Sequence, residues 1–369
     1  MIRVRNQYIV AGLLLLALVA VVFGCTDDDQ GPIGPGDESG NAPVGIPTAD
    51  NNVSLSPTLQ WHPVGDWGDS VVYDLYFGQS ATPSATFPDL ADTSYAPGPL
   101  EPGTQYRWAV RAKINGTITA WSTVHSFGSR SSITYPVEVG NRWEYRRELT
   151  ALSTVSGYFL LEVVGTDTGW QVNPVYVFEE TWFDLDQVTL NNSTTWYHVT
   201  NDGLYLVGYD GPGNIIPASL STSYRYRFGG REFESVSELL GQVEGTGVAL
   251  SPRELIVEDP PKLGLEYPIS IGAEWVFRED DPWRIEKQIH DFEIISVPAG
   301  NFGCFVVSWL EDTNNDGSFN DNLVFLDYIA EEGLVRRSIL MANVLVVDEH
   351  GNELGFIDIT DEYELVAWE

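Results

Sequence analysis

Residues 106–113 read YRWAVRAK. Tyr106, Trp108, Val110 and Ala112 fall on one side, and Arg107, Arg111 and Lys113 on the other. Only an extended strand alternates its side chains with period two, so this is a half-buried antiparallel strand. The same period returns along the chain in short runs cut by glycine and proline, which restricts it to a mostly β architecture. Further strand candidates lie at 59–61 and 71–78. From 131 onward they lie at 157–164, 174–183, 194–200, 203–209, 224–228, 291–296, 302–310, 323–329, 333–340, 344–348 and 363–368. Helix is scarce. Ser235 with Glu238, and Ser251 with Glu254, are capping-box spacings; Gly241 is expected to close the first helix, and Pro252 sits at the first helical position of the second.

The N-terminus fixes the compartment. Arg3 and Arg5 precede a sixteen-residue apolar run at 8–23, and Gly24 and Cys25 follow it. A basic leader, an apolar stretch and a small residue before the cut describe a secretory signal. The run falls short of the ~20 apolar residues that span a bilayer comfortably. Val22-Phe23-Gly24-Cys25 resembles the lipobox of bacterial lipoproteins. That resemblance implies that the Cys25 thiol takes a diacylglyceryl group and becomes the mature terminus. The expectation is acyl labelling: radiolabelled palmitate enters the wild-type chain and is lost in Cys25→Ala, whereas equal labelling of both contradicts it. The alternative, an uncleaved anchor, also puts the body outside the cytoplasm.

Residues 26–45 (TDDDQGPIGPGDESGNAPVG) carry one large aliphatic side chain before Val44, too little to offset ordering entropy, and read as a flexible acidic tether. Asp27–Asp29 beside Cys25 resemble the signals that some Gram-negative lineages use to send lipoproteins to the outer face. Thr26 in second position resembles outer-membrane sorting. Solvated linker charge is the plainer reading of the triplet.

The whole chain carries 19 basic and 53 acidic residues, a net charge of −34, with lysine only at 113, 262 and 287. Such a surface repels phosphate backbones, which excludes nucleic acid as a partner. Apart from Cys25 the one cysteine is Cys304, within the apolar run FGCFVV, and it is expected to be a buried structural thiol. Stability therefore rests on packing, for which 12 Trp, 17 Tyr and 16 Phe are available.

Between 47 and 128, Trp61 on an early strand, YDLYFG at 73–78, LEPGTQYRWAVRA at 100–112 and WSTVHSF at 121–127 together resemble a fibronectin type III domain. The resemblance implies a β-sandwich with Trp61 and Trp108 in its core. It also implies a tyrosine corner in which Tyr106 hydrogen-bonds to backbone near Leu100. No Arg-Gly-Asp tripeptide is present, and Gly68-Asp69-Ser70 reads as a turn rather than a hydrolase nucleophile.

From 129 to 369 an echo is visible. YPVEVGNRWEYR at 135–146 matches YPISIGAEWVFR at 267–278, an extended Tyr-Pro segment, a glycine turn and a strand led by Trp143 or Trp275. It marks either two related halves or one device used twice. VPAGNF at 297–302 and YIAEEGLVR at 328–336 resemble stretches of uncharacterised secreted bacterial lipoproteins, some of which resemble the curved sheets of periplasmic lipoprotein carriers. The fold expected is thus mostly β. Signal 1–24 and tether 25–46 precede a fibronectin type III-like sandwich at 47–128. A larger antiparallel domain at 129–369, sandwich or curved sheet, follows with two short helices.

One constellation suggests a metal. Asp312, Asn314, Asp316 and Asp321 supply oxygens at positions 1, 3, 5 and 10, with Gly317 at position 6, the pattern of a calcium loop set in a hairpin. Position 12 is Leu323 rather than glutamate, and the same residues also build ordinary polar turns. Five scattered histidines and the absence of a Gly-x-Ser-x-Gly, P-loop or dinucleotide fingerprint give no catalytic residue. The reading is a non-catalytic, lipid-anchored envelope protein, its membrane contact through lipid, binding a glycan or protein and needing no cofactor unless calcium. The alternatives are an envelope hydrolase acting on polysaccharide or peptide, and a carrier holding an apolar ligand in a curved sheet. A polar cleft with converging carboxylates favours the first alternative, and an apolar concavity the second.

Overall fold

The computed structural model describes residues 42–48, 51–66, 68–82, 84, 86–186, 189–210, 224–245, 255–280, 283–312 and 316–369. Cys25, the signal, most of the tether, Asn314 and the capping box at Ser251 lie outside them. Strands β1 (Gly45–Ile46), β2 (Leu59–Trp61) and β5 (Ser94–Tyr95) form one small sheet. Strands β3 (Val71–Gly78), β4 (Phe87–Leu90), β6 (Gln105–Ile114), β7 (Thr117–Ile118) and β8 (His125–Gly128) form a second. Their inner faces meet over Leu59, Trp61, Tyr73, Leu75, Trp108, Val110 and Phe127, all buried. Trp108 is fully buried, and Tyr106 Oη accepts the Glu101 N–H at 3.1 Å, beside Leu100. Asp74, on the outer face of β3 with Arg111 and Lys113, is buried beneath them and paired with both, at 2.9 and 2.7 Å. Trp121 lies outside any strand, its ring 4.7 Å beneath the Arg111 guanidinium.

The remaining strands belong to one large antiparallel sheet. Its first half runs β9 (Arg142–Thr150), β10 (Thr154–Asp167), β11 (Val175–Asp184), β12 (Thr189–Val199) and β13 (Gly203–Asp210). Hairpin β14 (Arg225–Phe228)–β15 (Arg231–Phe233) and helix α1 (Val236–Val243) intervene before β16 (Leu255–Glu266). Its second half is β17 (Glu274–Asp280), β18 (Trp283–Val297), β19 (Gly300–Asp312), β20 (Leu323–Ala330), β21 (Gly333–Val347) and β22 (Glu353–Trp368). The spatial order is β16-β13-β12-β11-β10-β9-β22-β21-β20-β19-β18-β17, two up-and-down halves joined where β9 pairs with β22. The sheet curls until its outer strands come together. Among the described residues the β16–β17 seam has no backbone ladder. It is held instead by Trp275 Nε1 donating to Leu263 O at 3.0 Å, Lys287 Nζ donating to Gly264 O at 2.9 Å, and a buried Arg278–Glu258 ion pair. The choice the sequence left open between sandwich and curved sheet falls to the curved sheet, because inward side chains from all round this one sheet share its core.

The echoed motifs occupy equivalent places, each leading into the first strand of a half. Gly140 and Gly272 turn at φ 101° and 94°, where a side chain would be strained. The two segments also touch: Ile133, just before the first motif, and Ile269, within the second, exchange N–H···O bonds of 3.1 and 2.8 Å. Trp143 and Trp275 both point into the core. Two sequence expectations change. Gly241 lies inside α1, which runs to Val243 because Leu239, Leu240 and Val243 bury against the sheet, and Gly245 at φ 75° follows its end. The strands expected at 333–340 and 344–348 are one, β21, bent by a bulge at Asn343 with φ 60°. Ser235 caps α1 as expected, its hydroxyl accepting the Glu238 N–H at 3.1 Å. Among the described residues α1 is the one helix, and none is long and apolar enough to cross a membrane. The described residues form one compact unit. Glu331, in the β20–β21 turn, joins the small sheets to the large one, accepting from Ser54 Oγ at 2.5 Å and pairing with Arg130 at 2.9 Å.

Candidate interior binding site

Alternation along each strand of the large sheet decides what enters its interior. On β18 the inward set is Ile285, Lys287 and Ile289; on β20 it is Phe325, Asp327 and Ile329; on β21 it includes Arg337 and Ile339; on β22 Ile359, Asp361 and Tyr363. Between apolar neighbours two residues away, each strand therefore delivers a charge to the inside. Register places Asp327 opposite Arg337, Arg337 opposite Tyr363, and Tyr363 opposite Arg147, one row across four strands.

The row is closed by pairing. Asp327 accepts from Arg337 Nε at 2.7 Å and Nη2 at 3.0 Å, and from Trp309 Nε1 at 2.9 Å. Arg147 binds Asp361 in bidentate fashion at 2.9 and 2.6 Å, with both side chains essentially without solvent exposure. Its guanidinium lies between the Trp182 ring at 4.3 Å and the Tyr363 ring at 4.7 Å. Burial alone would lower the Arg147 pKa, but the Asp361 charge outweighs it and holds the group above its ordinary value. Gly157 makes this sandwich feasible: a Cβ there would sit 2.2 Å from Phe183 O and 2.7 Å from Trp182 Nε1. Lacking one, β10 lets the indole reach across it to Arg147.

Beside this row the interior is not filled. A cavity of about 210 Å³ is walled by aliphatic and aromatic side chains, among them Phe159, Leu161, Phe178, Leu206 and Leu265. That is many times the ~10–15 Å³ that admits one water on the same measure. Glu180, Glu244, Lys287, Asp327 and Arg337 give it a polar flank. Glu180 is half-buried and lines the cavity. Its carboxylate accepts from Ser193 Oγ at 3.1 Å, and burial raises its pKa against that bond and the pull of Arg337. Glu244, the C-cap of α1, accepts from Arg337 Nη1 at 3.3 Å, and burial pushes its carboxyl up to about 7 against Arg337 and Arg147. Lys287 is buried over the Trp309 and Phe277 rings, its nitrogen 3.3 and 4.1 Å from their centroids.

The residues singled out in sequence lie elsewhere, with one overlap. Trp61, Tyr106 and Trp108 are core of the small sheets. Trp143 and Trp275 are core of the large one, and the Trp275 neighbour Phe277 reaches the cavity. Cys304 is buried with its thiol pushed up by desolvation, as a structural thiol should be. In the calcium loop Asp312 is buried, and its carboxylate accepts the Asp316 and Gly317 N–H groups at 3.2 and 2.8 Å. Asp316 accepts from Ser318 N–H at 2.9 Å, and Asp321 is exposed. The described part of the loop is a side-chain-capped turn, and among the described residues no His, Cys, Asp or Glu group of three clusters as a metal would need.

No family model matches the chain. No curated protein matches its sequence. Among solved structures, a presumed lipoprotein of Parabacteroides distasonis ATCC 8503 aligns at 11% identity over 65% of this chain and 100% of its own, with a TM-score of 0.28. A presumed exported protein with a YmcC-like fold from Bacteroides fragilis NCTC 9343 aligns at 10% identity over 64% and 99%, with a TM-score of 0.29. Rhamnogalacturonan lyase YesW aligns at 13% identity over 85% and 59%, with a TM-score of 0.18. Scores this low assign no activity.

Proposed function

We propose that the chain is a non-catalytic envelope protein, tethered through a lipid on Cys25, whose large sheet holds a small and mainly apolar ligand in its interior. The observation that carries this is the walled cavity of about 210 Å³ inside a sheet whose edges have come together. Enclosed apolar pockets with a few placed polar groups are the usual form of a ligand site. The flank of charges is committed largely to internal pairs, as in a site that orients a ligand rather than transforms it. The small sheets at 47–128, with Trp61 and Trp108 in their core, serve as a spacer between the tether and the ligand-holding sheet, the role that the fibronectin type III resemblance implies. The leader and acidic tether support an envelope location, with the outer membrane favoured by Thr26.

The test is a fluorescence titration with N-phenyl-1-naphthylamine, a neutral apolar probe. Saturable binding with one site per chain is expected. It should fall at least about tenfold in Leu161→Trp, which puts an indole into the cavity, while melting stays cooperative. Binding that is non-saturable, or unchanged in a folded Leu161→Trp chain, overturns the reading.

A further inference from the structure

We infer that Lys287 is a reactive amine, and that the ligand class it selects is a small apolar aldehyde or ketone captured as an imine. This deepens the proposed function and rests on it, since the carbonyl compound must enter the same cavity.

The argument begins with position. Lys287 is inward on β18, cross-strand from Trp309 on β19, and is one of the residues lining the cavity. Every element packed around its nitrogen can be named. β17 brings the Phe277 ring and β19 the Trp309 ring; β16 brings the Gly264 carbonyl, its hydrogen-bond acceptor at 2.9 Å. β20 brings Asp327 and β21 Arg337, charges of opposite sign that are bonded to each other. Among the described residues the amine has no carboxylate of its own, and it lies where an ammonium would be stripped of water. Burial accordingly drives its pKa well below the ordinary lysine range, with the Asp327 charge opposing and Arg337 assisting. A desolvated lysine beside a cation in an apolar pocket is the arrangement that makes a nucleophilic amine.

The chemistry balances without any further reactant. The neutral nitrogen attacks the carbonyl carbon, and the C–N bond forms as the C=O π pair moves to oxygen. One nitrogen proton passes to that oxygen. The hydroxyl then leaves as water, taking a proton from an acid. The iminium that remains returns its N–H proton to that acid's conjugate base, so that C=N replaces C=O and the acid is restored. Glu244 lines the same cavity and holds its proton near neutral pH, so it supplies the acid. The apolar walls accept the rest of the molecule.

The chain provides its own controls, because it has two other lysines. Lys113 is held protonated by Asp74 and Asp89, each at 2.7 Å, and Lys262 is half-buried on β16. An unperturbed lysine is neutral in only about one molecule in ten thousand at pH 6.5. The experiment incubates the full chain with benzaldehyde and cyanoborohydride at pH 6.5, where the hydride donor reduces any imine to a stable benzylamine. Peptide mass spectrometry then locates the label. Labelling of Lys287 should exceed that of Lys113 and Lys262 by at least about tenfold, and should be competed by N-phenyl-1-naphthylamine. In Lys287→Met, which keeps an apolar stem of similar length, no label remains on β18, while Lys113 and Lys262 keep their background labelling. Equal or lower labelling of Lys287, in a chain that binds the fluorophore, overturns the inference and leaves the proposed function standing. Absence of both labelling and fluorophore binding overturns the two together.

Discussion

Asp361→Ala is expected to lower the unfolding free energy by about 3–5 kcal/mol, because it leaves the Arg147 guanidinium buried without its counter-charge. Glu244 acts on Arg147 through its charge, but its carboxylate is bonded to Arg337. The two faces of Arg147 are covered by Trp182 and Tyr363, whose rings attract the cation but accept none of its in-plane N–H groups in the way Asp361 does. The pair itself need not stabilise the fold over an apolar substitute, since drawing two charges from water costs about what their attraction returns. The double variant Arg147→Met/Asp361→Leu should therefore recover most of the loss. Urea melts of the three chains check this. A single variant within about 1 kcal/mol of wild type, or a double variant no better than the single, contradicts the account of this site.

Trp309→Ala should be about as costly, at roughly 3–5 kcal/mol for removing a buried indole. Trp309 does three things at once. It stacks on Phe325 with centroids 4.2 Å apart and planes 4° from parallel, covers the Lys287 amine, and donates to Asp327. Trp309→Phe keeps the stack and the cover but loses the hydrogen bond to a charged acceptor, which should cost about 1.5–3 kcal/mol. The ordering Ala worse than Phe worse than wild type is the expected result in equilibrium denaturation. Equal losses for Ala and Phe would mean that the stack and the covered amine contribute nothing.

Period-two patterning made the strands legible. The run at 71–78 coincides with β3, and 203–209 and 323–329 fall within β13 and β20. The aromatic positions of the echoed motif, Trp143 and Trp275, pointed to core and are core. The interior charges were harder to read for a physical reason. Alternation says that Lys287 shares a face with Ile285 and Ile289, and Asp361 with Ile359 and Tyr363, but the same pattern serves an occasional charge on a solvated face. Only the register, with Asp327 opposite Arg337, shows that these side chains meet one another. Nor could periodicity announce the seam between β16 and β17, which rests on side-chain to carbonyl bonds from Trp275 and Lys287 rather than on a ladder. The oxygen-rich loop after β19 shows a different limit of spacing. Its spacing suits calcium, whereas Asp312 turns its carboxylate to the N–H groups of its own loop.

The most direct test of the central claim is a crystal structure of the chain soaked with N-phenyl-1-naphthylamine. The account predicts the naphthyl ring inside the large sheet, between Leu161, Phe178 and Leu206, with its edge toward Lys287. Density for the probe on the outer face alone, or an interior packed solid with side chains, would contradict it.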